Sequence, residues 1–528
     1  MPSCKNCQSN FTIYPEDRAF YGRIGVPEPT LCPDCRQQRR LAWRNVSHLY
    51  LRQCDFSGKD IISNYSPDQP YKVFDPKVWW TDKWDPLAAG RNYDFSQTFF
   101  DQFYKLQLAV PRPALLDKNS TNSDYTNHGG YNKNCYMCFN VGQSEDLYYC
   151  TNFILESKDC VDCYDMRKCE LLYECFDVRN CYNSKYLFYC RDCYDSALLY
   201  DCHGCHDCLM CWNLRNAQYC IENKAYSQEE YQNKLKDLYP QTYSAWQQKR
   251  QQLLENIQSR AIHKYTRIEK SDHSTGNQIV NCQDVKNSYY ATESVGCSYC
   301  YDIGEYKDSY DTYESWKGEL NYETHAIHQG YNLLSCSICY DDSHLCYCDF
   351  CNNSKDCFGC VGLNKKKFCI LNKQYSQNEY LELKQKIIKH MQITGEWGEF
   401  FPMKLSPFGY NESVAQEYYP LSKDQVLNRG LKWKEEEIKK VDPKLPKCLA
   451  CGKNFKIIDQ EKSFYQKMNL PEPEKCWKCR YDDRTRLRDP RRLYERKCLK
   501  CGQIMQSIYS PDRPEKVYCE ECYRKEIY

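Results

Sequence analysis

Residues 32–44 read CPDCRQQRRLAWR, and residues 476–488 read CWKCRYDDRTRLR. Each stretch starts with two cysteines spaced C-x2-C and continues into a polar segment in which arginine recurs every fourth residue. Two cysteines at this spacing can both turn onto one metal ion. Residues four apart lie on the same face of a helix. The two stretches therefore predict a cysteine knuckle that opens a helix, twice in one chain.

These stretches belong to a longer internal duplication. An offset of 444 residues aligns the two ends of the chain without a gap, with 28 identities in the 77 positions from Cys4 to Trp80. Agreement of this length predicts two copies of one module, residues 1–85 and 446–528. Each copy is predicted to place a β-rich stretch between two C-x2-C pairs that bind one zinc ion. The predicted ligands are Cys4, Cys7, Cys32 and Cys35 in the first copy and Cys448, Cys451, Cys476 and Cys479 in the second.

The second half of the module differs between the copies. The C-terminal copy carries a further zinc-ribbon set of Cys498, Cys501, Cys519 and Cys522. The matching positions of the N-terminal copy are Cys54, Ser57, Asp75 and Val78. Valine offers zinc no ligand atom, so this half-module is predicted to keep its fold without an ion. Burial of Trp79, Trp80 and Trp84 is expected to stabilise it instead, which leaves three zinc ions per chain.

The first half of the module resembles the short family of probable treble-clef zinc ribbons, in which C-x2-C, an aromatic pair, Pro and C-x2-C-R recur. The resemblance covers about 40 residues of each copy and implies a treble clef around zinc. The whole chain resembles an uncharacterised group of Cys- and Tyr-rich zinc-binding proteins from candidate-phylum bacteria, a resemblance that carries no activity. The residues that carry the treble-clef match are Cys4, Cys7, Phe20, Tyr21, Pro29, Cys32, Cys35 and Arg36.

The middle of the chain is a second duplication. An offset of 149 aligns residues 158–231 with 307–380 at 27 identities in 74 positions. Hydrophobic residues show no helical period there, whereas cysteines recur 21 residues apart, as at Cys169, Cys190 and Cys211. A rung of about 21 residues is typical of a β-solenoid, with cysteine pointing inward as a small apolar side chain. The predicted fold is mainly β with peripheral helices, with two β-solenoid-like blocks flanked by treble-clef/zinc-ribbon modules.

A second interpretation exists for the cysteine run from Cys202 to Cys211 in the first block. Its C-x2-C-x2-C-x2-C spacing is similar to a ferredoxin cluster run, which has three residues before its last cysteine and proline after it. Trp212 follows here, and the second block retains three of the four cysteines. Core packing is favoured, and a metal at this run stays an alternative. The four residues are Cys202, Cys205, Cys208 and Cys211.

The pattern divides the chain into seven segments. Helices are predicted at 96–108, capped by Ser96, and at 240–262. Three Ser-x-x-Glu/Gln capping boxes, starting at Ser227, Ser376 and Ser422, predict three more helices. The predicted segments are the module 1–85, a helix and linker 86–130, the first β-solenoid block 131–232, a helical connector 233–280, the second block 281–381, an aromatic-rich wrap and helix 382–445, and the module 446–528.

Composition narrows the class of protein. The chain has 528 residues, 39 Cys, 48 Tyr and a net charge of +1. No apolar run approaches the roughly 20 residues that cross a bilayer, and the first residues lack the apolar core of a signal peptide. So many cysteines without an export signal indicate a reducing cytoplasm, with thiolates on metal and thiols in a core. Neither a membrane nor a small-molecule substrate is predicted.

The favoured function is a non-enzymatic zinc scaffold that presents a solenoid surface to a macromolecule, protein or RNA. One alternative is RNA or ribosome binding through basic residues of the modules, although these can also pair with acidic neighbours such as Asp482. Another is an enzyme acting on a glycan, which needs two carboxylates at a fixed separation, and no catalytic motif singles out such a pair. The arginines of the RNA alternative are Arg36, Arg39, Arg40, Arg44, Arg480, Arg484, Arg488, Arg491 and Arg492.

Overall fold

The structure is a computed structural model, which describes residues 1–316, 322–328, 339–340, 343–435 and 442–528. The chain forms two compact units, and each is assembled from two distant segments. The first unit joins Met1–Ala114 to Arg267–Glu436, and the second joins Leu115–Thr266 to Glu437–Tyr528. Each unit therefore combines one terminal module with the repeat block that lies farther from it in the sequence.

The two modules share one order of elements. The stretch between the knuckles, predicted to be β-rich, is a helix in both copies. Pro15 favours this helix because it occupies the first helical position, and Gly25 ends it with φ of 70°. The N-terminal elements are Pro15–Ile24, Pro33–Leu41, Tyr50–Gln53, Asp60–Ser63, Val73–Phe74 and Pro76–Trp79. The C-terminal elements are Asp459–Lys467, Trp477–Thr485, Tyr494–Lys497, Ile504–Ser507, Lys516–Tyr518 and Glu520–Ile527.

The first repeat block belongs to one sheet of 14 strands, which we call the first ladder and which begins at Asp117, ahead of the predicted start at residue 131. Its strands pair in parallel, apart from a final antiparallel pair. In most pairs the partners are 12 residues apart, as for Lys158 and Glu170, and in a few they are 13 apart, as for Glu145 and Lys158. The strands are Asp117–Lys118, Gly129–Gly130, Phe139–Gly142, Glu145–Tyr148, Thr151–Leu155, Lys158–Val161, Tyr164–Arg167, Glu170–Tyr173, Phe176–Arg179, Tyr182–Phe188, Ala197–Tyr200, His206–Trp212, Gln218–Ile221 and Lys224–Ala225.

The repeat is therefore 12 residues, and the predicted rung of 21 is wrong. Within each repeat, every third residue points into the core, and every third residue has a positive φ, as at Asp159, Asp162 and Asp165. Asp and Asn tolerate this backbone conformation better than most residues, which accounts for their frequency in the block. Because 21 is a multiple of three, residues 21 apart all point inward, although they do not stack on one another.

In the described residues the second repeat block forms two further sheets, which are parallel apart from the final antiparallel pair Lys367–Ile370 with Lys373–Gln374. The second ladder has seven strands, again with partners 12 residues apart in most pairs, as for Tyr289 and Tyr301. A four-stranded third ladder follows it. The second ladder comprises Ile268–Glu269, Gly276–Val280, Ser288–Thr292, Tyr301–Gly304, Tyr313–Trp316, His325–His328 and Cys339–Tyr340. The third comprises Ser343–Cys346, Lys355–Phe358, Lys367–Ile370 and Lys373–Gln374.

Helices cover the repeat blocks. The three predicted capping boxes are present at Ser227, Ser376 and Ser422. The helix predicted at 96–108 begins later, because Thr98 caps it instead of Ser96. None of the helices in the described ranges has the length and apolar composition needed to cross a membrane. Short 3-10 turns and two strand pairs, Val73–Phe74 with Arg112–Pro113 and Ile262–Lys264 with Lys516–Tyr518, complete the described fold. The helices outside the modules are Phe99–Ala109, Gln228–Leu238, Tyr243–Ser259, Gln377–Thr394, Val414–Tyr418 and Lys423–Asn428.

Candidate metal centres and the arginine interface

Three groups of four cysteines converge in the modules. Within each group the four sulfur atoms lie within 4.8 Å of one another. The Sγ–Sγ distance is 3.7 Å for Cys7 and Cys32, and 3.8 Å for both Cys451–Cys476 and Cys501–Cys519. A tetrahedral ion with metal–sulfur bonds of about 2.3 Å has edges of about 3.8 Å, whereas a disulfide bond is about 2.05 Å long. Each group can hold a metal ion, and the groups contain the 12 cysteines predicted from spacing.

Backbone N–H groups of the modules stabilise the thiolate of the first cysteine in both C-terminal groups. The N–H of the third cysteine in each group donates to the sulfur of the first, for example from Cys476 to Cys448 at 3.2 Å and from Cys519 to Cys498 at 3.3 Å. Burial raises the pKa of Cys448, but backbone N–H groups outweigh burial and lower it to about 6. The pKa of Cys498 is lowered to about 6 in the same way. Stabilised thiolates are the form that binds metal.

The N-terminal half-module keeps the knuckle without the other ligands. Cys54 accepts an N–H from Asp75 at 3.3 Å, in the same geometry as its counterpart Cys498. Among the described residues, Cys54 belongs to no group of three or more metal-ligating side chains. Trp79 is buried, and its indole N–H donates to the carbonyl oxygen of Pro111 at 2.9 Å. Trp80 is 41% exposed, so it contributes less burial than predicted.

The cysteines of the ladders are core residues. Cys160 donates through Sγ to the carbonyl oxygen of Lys158 at 3.1 Å, and Ser309, its match in the second ladder, donates to the carbonyl of Lys307 at the same distance. The inward cysteines are buried, and burial raises the pKa of Cys169 to about 12. In the described part of the chain, no metal-ligand group includes Cys202, Cys205, Cys208 or Cys211, which point inward from successive sides of one repeat. The structure thus favours core packing for this run.

The arginines of the N-terminal module face the second ladder instead of solvent. Arg36 donates to Asp311 at 2.9 Å, and Arg40 lies 3.3 Å from the same carboxylate. Arg39 donates to both oxygens of Glu323, at 2.5 and 2.7 Å. These side chains are buried. Arg44 is also buried, contacts Glu314 and lies over the ring of Tyr313.

The C-terminal module repeats this interface with the first ladder. Arg480 lies 2.7 Å from Asp162, and Arg484 lies 2.9 Å from the same carboxylate and 3.4 Å from Glu174. Both arginines are fully buried. The offsets 444 and 149 map these residues onto Arg36, Arg40, Asp311 and Glu323. The duplication therefore includes a module, a ladder and the ion pairs between them.

The prediction of nucleic-acid contacts needs correction at these positions. Six of the nine arginines are buried within their units and cannot also contact a nucleic acid in this conformation. They are Arg36, Arg39, Arg40, Arg44, Arg480 and Arg484. Arg491 is buried too, whereas Arg488 is half-buried over the ring of Tyr164. Arg492 is exposed beside Tyr494. Sequence reasoning missed the acidic partners because they lie about 300 residues away, although the shared offset of Asp162 and Asp311 was a detectable signal.

The chain was compared with known proteins at three levels. No protein-family model, curated protein or solved structure matches it. The class supported by fold and site is therefore a mainly β protein with three four-cysteine groups able to bind metal. The resemblance to treble-clef zinc ribbons and to Cys- and Tyr-rich zinc proteins stays a prediction.

Proposed function

We propose that the three cysteine groups bind zinc and that the protein is a non-enzymatic scaffold held together by these ions. The geometry of the sulfurs carries the proposal, because their separations match a tetrahedral thiolate shell of about 3.8 Å edge. Four cysteines without an open position are typical of structural zinc, not of a catalytic centre. In each module the ion would connect the first knuckle to the arginine helix, which starts one residue after the third ligand.

Counting ions tests this proposal. Native mass spectrometry with metal analysis should give three zinc ions per chain. The substitutions Cys4→Ser, Cys448→Ser and Cys498→Ser should each remove one ion, and the matched control Cys54→Ser should remove none. Brown protein with absorbance near 400 nm would instead indicate an iron–sulfur cluster and contradict a zinc-only protein.

We propose that each repeat block is a β-solenoid with four sides of three residues and that its exposed face binds a macromolecule. The 12-residue parallel pairing and the inward position at every third residue support this winding. On the first ladder, Tyr182, Tyr194 and His206 occupy one row, and the rings of Tyr194 and His206 are stacked at 5.0 Å. Both tyrosines are more than 40% exposed. Aromatic side chains in rigid rows are common in binding surfaces.

A capture experiment tests the interaction role. Tagged protein should retain a partner from lysate after nuclease treatment, and Tyr182→Ala with Tyr194→Ala should lower the retained amount at least fivefold. Lys133→Ala with Glu145→Ala, which changes an exposed ion pair elsewhere in the same row, serves as the control. Retention that disappears on nuclease treatment would favour the RNA alternative.

A further inference from the structure

The two modules dock on their ladders through the same four charged positions, but one neighbouring position differs. Arg39 of the N-terminal module aligns with Asp483 of the C-terminal module, on helices that both begin one residue after the third cysteine of the group. Arg39 is buried and bridges Glu323 and Glu399, the latter at 2.6 Å. One module thus presents a cation at a place where the other presents a carboxylate.

The surroundings of these two positions carry different charges. Glu323 is fully buried, and it faces both Arg39 and Arg40. In the second unit Asp483 pairs with Lys475 at 2.7 Å, and its backbone carbonyl accepts from Arg250 at 3.3 Å. Arg250 lies on the helix Tyr243–Ser259, which covers the first ladder, and it supplies a positive charge near Glu174.

We infer that position 39/483 determines which module docks on which ladder. The acidic pair Asp311 and Glu323, like Asp162 and Glu174, is a receptor for a helix with arginines four residues apart, and either module satisfies it. The ladder carboxylates Glu323 and Glu174 occupy matching positions, so the difference between the units lies in Glu399 of the first and Arg250 of the second. A C-terminal module on the second ladder would bring Asp483 towards the carboxylate of Glu399 and away from Arg250. An N-terminal module on the first ladder would bring Arg39 towards Arg250. Like-charge contacts of this kind are a common means of excluding a wrong partner.

An ion pair lies at the rim of each interface, and crosslinking its two residues identifies which module is docked on which ladder. Arg23 lies 3.5 Å from Asp308, and Lys467 lies 3.0 Å from Asp159. These pairs are related by the same two offsets. A water-soluble carbodiimide joins an adjacent lysine and carboxylate as an amide. In the full chain carrying Arg23→Lys, we expect crosslinks between position 23 and Asp308 and between Lys467 and Asp159.

Exchanging the two charges tests the inference. In the Arg23→Lys background, Arg39→Asp combined with Asp483→Arg should lower both cognate crosslinks at least fivefold. Crosslinks between Lys467 and Asp308, and between position 23 and Asp159, should replace them, within one chain or between two chains. The matched control exchanges Arg18→Asp and Asp482→Arg; among the described residues their ion-pair partners are Glu28 and Lys478, each in the same module. Its crosslinks should stay within twofold of the parent.

Metal analysis shows whether the exchanged variant is misfolded. If the exchanged variant binds fewer ions than the parent, the neutral pair Arg39→Gln and Asp483→Asn replaces it, and the loss of discrimination should then give cognate and non-cognate crosslinks together. Cognate crosslinks at parental yield would overturn the inference. So would loss of the cognate crosslinks without gain of the non-cognate ones, because position 39/483 would then affect the strength of docking and not the choice of partner. Absence of cognate crosslinks in the parent would overturn the docking itself.

Discussion

The two units have the same interface but, in the residues that the structure describes, different numbers of four-cysteine groups, one in the first unit and two in the second. Both bury a carboxylate beneath two arginines of a module helix, and in both a hairpin follows that helix. The hairpin of the second unit carries a four-cysteine group, whereas that of the first unit has Cys54 alone. The N-terminal half-module thus keeps its hairpin where three of the four cysteines are replaced and Trp79 is buried, while the buried ion pairs are retained. Between the two units, the ion pairs that hold each module on its ladder are therefore kept more closely than the second cysteine group.

Loss of one metal group should give the largest difference between the units. Cys498→Ser leaves three ligands, and structural zinc contributes on the order of 10 kcal/mol to the folding of such small domains. The hairpin Tyr494–Lys497 with Ile504–Ser507 should lose its protection from hydrogen exchange. Cys54→Ser is the matched control, because serine still accepts the Asp75 N–H, and protection of the N-terminal hairpin should not change. Equal loss in both hairpins would contradict the comparison.

Breaking the shared ion pairs should affect both units alike. Asp311→Asn removes the anion shared by Arg36 and Arg40 and leaves Glu323, 3.9 Å from Arg40, and loss of such a partner costs about 3–5 kcal/mol in similar buried networks. Asp162→Asn should cost a similar amount in the second unit. Chemical denaturation measures both. Asp308→Asn, which affects an exposed rim pair, should cost less than about 1 kcal/mol. A small effect in only one unit would show that the interfaces are not equivalent.

Aromatic burial should matter most in the half-module that lacks a four-cysteine group. Trp79→Ala removes a buried indole and its hydrogen bond to Pro111, at a cost of about 3 kcal/mol. The adjacent Trp80→Ala, at a more exposed position, should cost about 0.5 kcal/mol. Thermal unfolding of the first unit gives both values. If the two substitutions had equal effects, burial of Trp79 would not be what replaces the ion.

Single changes of core cysteines should have the smallest effects. Cys169→Ala removes one small buried side chain and should cost about 1 kcal/mol without release of metal. Cys160→Ser should be close to neutral, because Ser309 already makes the matching hydrogen bond in the other ladder. Metal analysis and denaturant unfolding measure the two changes. Release of an ion from either variant would reopen the possibility of a ligand in the core.

The sequence was most informative where function requires local spacing. A knuckle brings ligands together within four residues, so C-x2-C spacing predicted all 12 cysteines of the metal groups, and capping boxes predicted helix starts for the same reason. The helix Pro15–Ile24 in the first half of the N-terminal module was not predicted, because the cysteine pairs on either side indicated a β-rich stretch. Pro15 at its start and Gly25 after its end were the local signals for it.

Long-range partners and the repeat length could not be read in the same way. Side chains point inward at every third residue, so any multiple of three appears as a cysteine period, and the 12-residue stacking period is hidden among them. The arginine helices look like solvated, basic surfaces, because the carboxylates that neutralise them are hundreds of residues distant. Burial of a charge depends on those partners and not on its neighbours in the chain.

The segmented composition of each unit has a consequence for synthesis on the ribosome. Arg36 and its partner Asp311 are 275 residues apart, which corresponds to about 14–55 s of translation at roughly 5–20 residues per second. During this interval the N-terminal module exposes an arginine helix, and then the first ladder exposes its acidic receptor while its own module is still to be made. We expect stalled nascent chains to lack protection of Arg36–Arg44 until residue 323 has left the exit tunnel, and limited proteolysis of chains stalled at successive lengths would measure that point. The N-terminal module therefore meets the first ladder before the second ladder has been synthesised. On our inference, the charge at position 39 keeps the module from docking there during this interval.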